Sequence, residues 1–255
     1  MVAVYQPSRS LPAKVRRRLV RRVGSRVVPL RLERPVVSIT FDDVPASVVT
    51  TALPMLDARG WSSTLYVATG LLGTENHLGT MMTADDVRAA HVRGHEIAAH
   101  THSHRDMAQL SREAQLVDLD RSHTLFREMG LPIPQSFAWP YGECSPSGKR
   151  LAAGRYRSLR GIAPRVHHDR VDLHQLGSVP MFHGRMNRVR TALESLRDAP
   201  GWVTLFTHDV REVPSPWGLT PSELDQALTW IADIGARVLP VRDVVANVEA
   251  AHARA

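Results

Sequence analysis

From Pro35 onward, short apolar runs alternate with helix-like stretches, and most of the runs end in ionisable or aromatic residues. β-Rich runs occupy 36–41, 63–68, 96–99 and 136–139, with later ones at 176–180, 202–207 and 237–241. Helical spacing is read over 48–59, 83–94, 111–130 and 221–234. Thr83 followed by Asp85-Asp86 supplies a cap and two acids for a first helical turn. Strands separated by helices of this length build βα units around a mostly parallel sheet, and an α/β barrel is the expected architecture. The stretch 142–190, rich in Arg, His and Gly, is expected to form loops.

The 255 residues fit one large domain over 35–250, preceded by an arm over 1–34. Hydrophobic residues at 43% and charged residues at 22% exclude a disordered or collagenous chain. Cys144 is the single cysteine, which excludes an intramolecular disulfide framework and a four-cysteine zinc site. No apolar run reaches the ~18 residues of a membrane span. The arginines at 16–18 and 21–22 interrupt the place where a signal peptide needs its apolar stretch, so no conventional secretion signal is expected and the expected compartment is cytoplasmic.

Charge is uneven. Nine basic residues, Arg9, Lys14, Arg16, Arg17, Arg18, Arg21, Arg22, Arg26 and Arg31, precede the first acid, Glu33. The remainder carries 23 Lys and Arg against 25 Asp and Glu, so the net +7 belongs to the arm and a nucleic-acid partner is not expected. Leu11, Val15, Leu19 and Val23 recur every fourth residue, the pattern of a basic amphipathic helix stopped near Gly24. Two expectations follow for it. It adsorbs to an anionic membrane at the inner surface, or it is laid over the domain or frays as a tail.

In α/β barrels chemistry sits on loops at the C-terminal ends of strands. The polar clusters obey that constraint: Asp42-Asp43 after the first run, His100-Thr101-His102-Ser103-His104 after the third, Pro140-Tyr141-Gly142 after the fourth, and Thr207-His208-Asp209 after 202–207. Adjacent carboxylates repel, and a bound cation keeps both ionised; a capping or solvated pair is the plainer reading. His100 and His104 are four apart, which places two imidazoles on one face of a helical turn and suits zinc. Strand geometry would instead pair His100 with His102 or His102 with His104. A solvated His-rich loop would pair none. His208 is either a satisfied core histidine or, beside a metal and a base, a general acid.

Together these residues resemble the polysaccharide deacetylase family, the NodB-homology carbohydrate esterases. The motif residues are Thr40-Phe41-Asp42-Asp43-Val44-Pro45, Gly94-His95-Glu96-Ile97-Ala98-Ala99-His100-Thr101-His102-Ser103-His104, Phe137-Ala138-Trp139-Pro140-Tyr141-Gly142 and Leu205-Phe206-Thr207-His208-Asp209. The resemblance covers about residues 35–245. It implies a distorted (β/α) barrel of about seven parallel strands and a hydrolase removing an N-acetyl, less readily an O-acetyl, group from a sugar or glycan.

The resemblance also implies roles. It selects Asp43, His100 and His104 as ligands of a divalent metal, zinc first, with cobalt, nickel or manganese as alternatives. Asp42 becomes the base, His208 the acid and the Tyr141 backbone N–H the oxyanion donor. Leu205 lines the acetyl-methyl pocket, and Trp139 and Pro140 contact substrate. The sequence departs from the family pattern in two places: Val44 replaces a glycine, and Ala138 replaces the arginine that braces the catalytic aspartate. Asp169 and Asp172 are the candidates for an aspartate behind His208. Hydrolysis of a non-sugar amide and a non-catalytic metal-binding role remain the alternative functions.

Overall fold

The computed structural model describes Tyr5, Pro7, Ser8 and residues 10–253. Helix α1 (Leu11–Val20) and the short strand β1 (Val27–Pro29) precede the sheet. The first long strand, β2 (Val36–Asp42), is buried at every position, as a strand covered on both faces must be. A π turn at Val48–Ala52 continues into an α-helix at Leu53–Asp57, together α2. Then come β3 (Thr64–Val67), the hairpin β4 (Glu75–Asn76) and β5 (Gly79–Thr80), α3 (Ala84–Val92), β6 (Glu96–Ala99), α4 (Arg112–Glu128) and β7 (Ser136–Ala138). The second half holds α5 (Pro146–Ala153), β8 (Ser158–Arg160), β9 (Val166–His167), β10 (Arg170–Asp172) and β11 (Val179–Pro180). It closes with α6 (Asn187–Asp198), β12 (Trp202–Thr207), α7 (Pro221–Asp233), β13 (Arg237–Val238) and α8 (Val241–Ala253).

Seven strands pair in parallel in the order β11-β12-β2-β3-β6-β7-β8, with β13 beside β2 and β9 antiparallel to β12. The sheet is the curled α/β barrel that the alternation predicts. Its register sets the chemistry. Thr207 lies opposite Phe41, Val67 opposite Ala99, Ala99 opposite Phe137, and Ala138 opposite Arg160. The residues just past these pairs, Asp42-Asp43, His100, Trp139 and His208, therefore emerge on one rim.

Helices pack outside the sheet around the main core, to which Ile39, Leu65, Phe137, Leu205 and Ile231 belong, each fully buried. Thr83 with Asp86, and Thr220 with Glu223, form reciprocal capping boxes that start α3 and α7. A second apolar cluster joins Val28 and Leu30 to Val171, Leu173, Trp202 and the Val241, Val244, Val245 and Val248 stripe of α8.

Two expectations change here. The 142–190 stretch is not mainly loop, since it holds α5 and four strands, and α6 starts at its end. Arginine-rich composition masks helical spacing in α6, where Val189, Ala192, Leu193 and Leu196 are the buried face. The arm is also docked. Strand β1 pairs with β10 through Val27 to Asp172, Val28 to Val171 and Pro29 to Arg170. Helix α1 lies on the domain, but not by its apolar stripe: Ala13 and Val20 are buried, while Leu11, Val15 and Leu19 face outward. Arg16 and Arg17 reach Glu143 at 2.8 and 2.5 Å, and the Lys149 ammonium donates to the Val20 carbonyl at 2.9 Å.

Candidate metal and acid–base site

Asp43, His100 and His104 converge, with one ligand atom of each lying within 4.8 Å of the others. Asp43 Oδ1 is 3.0 Å from His104 Nε2 and 3.5 Å from His100 Nε2. The His100 Nδ1–H donates to the Ala138 carbonyl at 2.8 Å, which leaves the lone pair on Nε2. A lone pair and a carboxylate oxygen thus face each other, and Asp43 Oδ1 is buried without a hydrogen-bond donor. Burial drives His100 down to about 3 and His104 down to about 4, so both imidazoles are neutral at neutral pH. Burial also pushes the Asp43 carboxyl up to about 6, against the pull of His208. Two neutral imidazoles and an unsatisfied carboxylate make a donor set suited to a divalent cation.

The pairing of His100 with His104 is reached differently from the expectation. The segment after β6 is a loop, not a helical turn, with Thr101 (φ 69°) and His104 (φ 50°) left-handed. Asp118, from α4, holds that loop by accepting from the His102 N–H at 2.7 Å and from Ser103. The His104 N–H donates to Thr101 Oγ1 at 3.0 Å. His102 turns away to Thr69 Oγ1 at 3.1 Å. Asp43 (φ 61°), Val44 (φ 59°) and Tyr141 (φ 58°) share the left-handed conformation. For the β-branched Val44, where the family carries glycine, this is strain of about 1–3 kcal/mol, held by the Met82 N–H bond to its carbonyl.

Asp42 is braced from a strand that the motifs did not indicate. The Arg160 Nη2 at the end of β8 donates to both Asp42 oxygens, at 2.7 and 2.6 Å. Burial by itself would raise Asp42, but Arg160, with His100 and His208 nearby, holds its carboxyl below the usual carboxylate value. The guanidinium is itself buried, stacked 4.7 Å from the Tyr66 ring centre and 5.2 Å from that of Phe206, with Nη1 on Ser178 Oγ at 3.2 Å. Ala138 therefore leaves room for an arginine arriving from the neighbouring strand, since Ala138 and Arg160 are register partners.

A cavity of about 740 Å³ opens over these groups, lined by Asp42, Asp43, His100, His104, Trp139, Tyr141 and His208. His77, Phe182, Arg185, Phe206 and Trp217 also line it, and of these only Phe206 falls within a motif read from sequence. Tyr5 and Pro7 from the arm line the mouth. The Tyr5 ring lies 4.7 Å from that of Tyr141, and its hydroxyl donates to the buried Asp106 at 2.5 Å. Their only sequence signal was an aromatic residue within an otherwise basic arm.

Three expected positions differ. Leu205 is fully buried in the main core, and its neighbour Phe206 faces the cavity, because successive strand residues point to opposite sides. Pro140 does not line the cavity. It opens the tight turn Pro140–Gly142 that presents Tyr141. Neither Asp169 nor Asp172 pairs with His208 among the described contacts: Asp169 is exposed between β9 and β10, and Asp172 Oδ1 receives the Arg26 and His174 N–H groups. His208 Nδ1 instead lies 3.3 Å from the Trp217 carbonyl. Asp209, fully buried, organises that loop by accepting from Ser215 N–H, Ser215 Oγ and Arg211.

Fold and site together define an α/β-barrel protein with an Asp/His/His metal-competent centre beside a buried aspartate and a histidine. Residues 30–154 match the family model described as polysaccharide deacetylase. This match bears out the resemblance to the polysaccharide deacetylase family over that segment. No curated protein matches it. Among solved structures it is similar to a family 4 acetyl xylan esterase from Clostridium thermocellum, with 23% identity over 82% of this chain and 89% of that one, at a TM-score of 0.57. It is also similar to the Bc1960 peptidoglycan N-acetylglucosamine deacetylase, with 17% identity, coverage of 85% and 91%, and a TM-score of 0.58. A mutant of BA3943, a CE4 family pseudoenzyme with restored activity, shares 15% identity over 86% of this chain and 70% of that one, at 0.59. Such identities speak for the fold alone.

Proposed function

We propose that the protein is a metal-dependent deacetylase that hydrolyses an N-acetyl group on a sugar or glycan. The observation that carries this reading is the buried, donorless Asp43 Oδ1 facing two neutral imidazoles, with Arg160-braced Asp42 and His208 on the same cavity. Asp43, His100 and His104 would hold a divalent metal, zinc foremost, which polarises an acetyl carbonyl and acidifies water when bound.

The remaining work falls to the chain. Asp42 is kept ionised by Arg160, so it is available to accept the proton of an attacking water. The turn at Tyr141 carries the backbone N–H assigned to the developing oxyanion. His208, held at Nδ1 by the Trp217 carbonyl, supplies a proton to the departing amine. Trp139 and Phe206 give the acetyl group apolar walls, and the open mouth lined by Tyr5, His77, Arg185 and Trp217 offers aromatic and cationic surface for a glycan.

Acetate release from a panel of N-acetylated and O-acetylated oligosaccharides and small cyclic amides tests this assignment. Preferential release from N-acetyl sugars supports it. Turnover confined to the non-sugar amides would replace the substrate class. No turnover of any member by metal-loaded protein would favour the non-catalytic alternative.

A further inference from the structure

The arm helix is docked with the wrong face outward for a helix that only covers a domain. A surface helix normally turns its apolar stripe to the core and its charges to water. In α1, Arg16 and Arg17 are turned inward onto Glu143, while Leu11, Val15 and Leu19 stand 75%, 52% and 54% exposed. On a helical wheel these three side chains form one arc, Lys14 and Arg18 border it on one side, and Arg21 and Arg22 follow at the C-terminal end of the helix, all four exposed. Among the described residues no acidic group pairs with those four. Val27, 56% exposed, follows on the same segment.

We propose that this outward face of α1 is a docking surface for an anionic lipid bilayer. An apolar stripe bordered by cations is the chemistry that lies in a headgroup layer, with the stripe in the acyl boundary and the cations on lipid phosphates. A second copy of the chain fits poorly, because an isologous contact through the stripe would bring two sets of four cations together. The docking contacts leave the face free and its orientation fixed, since Glu143 and Lys149 hold α1 from the opposite side. Tyr5 and Pro7 lie a few residues before α1 and line the cavity, so a docked helix would set the mouth beside the lipid surface.

Binding is measured without turnover, so the result is independent of the proposed reaction. Full-length protein is sedimented with vesicles of phosphatidylcholine alone or mixed with phosphatidylglycerol at ~0.1 M salt. Wild type is expected to partition onto the mixed vesicles and to lose about tenfold or more of that binding at ~1 M salt. The combined Leu11→Ser, Val15→Ser and Leu19→Ser variant is expected to lose about tenfold or more at low salt, with an unchanged thermal midpoint because the three side chains are exposed. Combined Arg18→Gln, Arg21→Gln and Arg22→Gln should abolish the preference for phosphatidylglycerol. Equal sedimentation of wild type and the serine variant would overturn the proposal, as would no binding by either. A concentration-dependent dimer abolished by the serine changes would overturn it too, and would assign the face to self-association.

Discussion

At the scale of single residues, Asp42 and Arg160 form the pair on which the proposed chemistry turns. Asp42 is buried, and the guanidinium is the foremost of the groups that outweigh the cost of ionising it there. Removing that partner should raise the Asp42 pKa, so the acidic limb of the pH–activity profile should move to higher pH. Breaking a buried ion pair costs about 3–5 kcal/mol, so Arg160→Met risks the fold. Arg160→Lys retains the charge and loses the fork. It should fold, keep its metal, show a lower kcat and show the shifted limb. An unshifted profile would mean that Arg160 only fills space.

The proposed ligand residues make a second prediction at this scale. His104→Ala should lower zinc content several-fold, and His102→Ala should not, because His102 is turned to Thr69. Protons compete with the metal in a defined order. Asp43 is raised to about 6, whereas His100 and His104 are lowered to about 3 and about 4. Binding between pH 4 and 6 should therefore displace about one proton per metal, and affinity should fall as pH drops below about 6. Calorimetry in two buffers measures that number. A value near three would mean that the imidazoles titrate with the carboxylate.

At the scale of elements, the arm behaves as part of the domain. Val28 and Leu30 are buried against α8, and β1 adds to β10. Deleting residues 1–31 should lower the thermal midpoint by several degrees and reduce turnover, because it removes buried leucine and valine side chains and also Tyr5 from the cavity. An unchanged melting curve would return the arm to the status of a separable tail. The long elements were legible because their spacing is regular: 96–99 and 202–207 are strands at the bounds read from sequence, and α7 differs by one residue. α6 and α8 carry the same apolar spacing, but arginines obscured it in one, and in the other a preceding strand pattern absorbed Val241. The short β1, β9 and β10 have no local signal. They exist because partners far along the chain satisfy their backbone groups.

At the scale of the whole molecule, strand register carries four separate motifs to one rim, and motif reading picked out Asp42, Asp43, His100 and His104 as neighbours for that reason. It missed Arg160 because a brace need only reach the same carboxylate in space. Ala138 and Arg160 are register partners on neighbouring strands, 22 positions apart in the chain. Tyr5, His77 and Trp217 were hidden for the same reason: each arrives on a loop or arm whose course is set by tertiary contacts. The fold alone does not decide activity, since it is shared with a pseudoenzyme as well as with esterases and deacetylases. The central claim is that the metal-competent cluster and the Asp42 base act together in hydrolysis. Its most direct test is acetate release from an N-acetylated oligosaccharide, measured in parallel on zinc-loaded wild type, chelator-treated wild type and zinc-loaded Asp42→Asn. The account predicts turnover by the first, loss on chelation with recovery on adding zinc, and a loss of ~10²–10⁴-fold in Asp42→Asn at unchanged zinc content. Full activity in the chelated protein or in Asp42→Asn would contradict it.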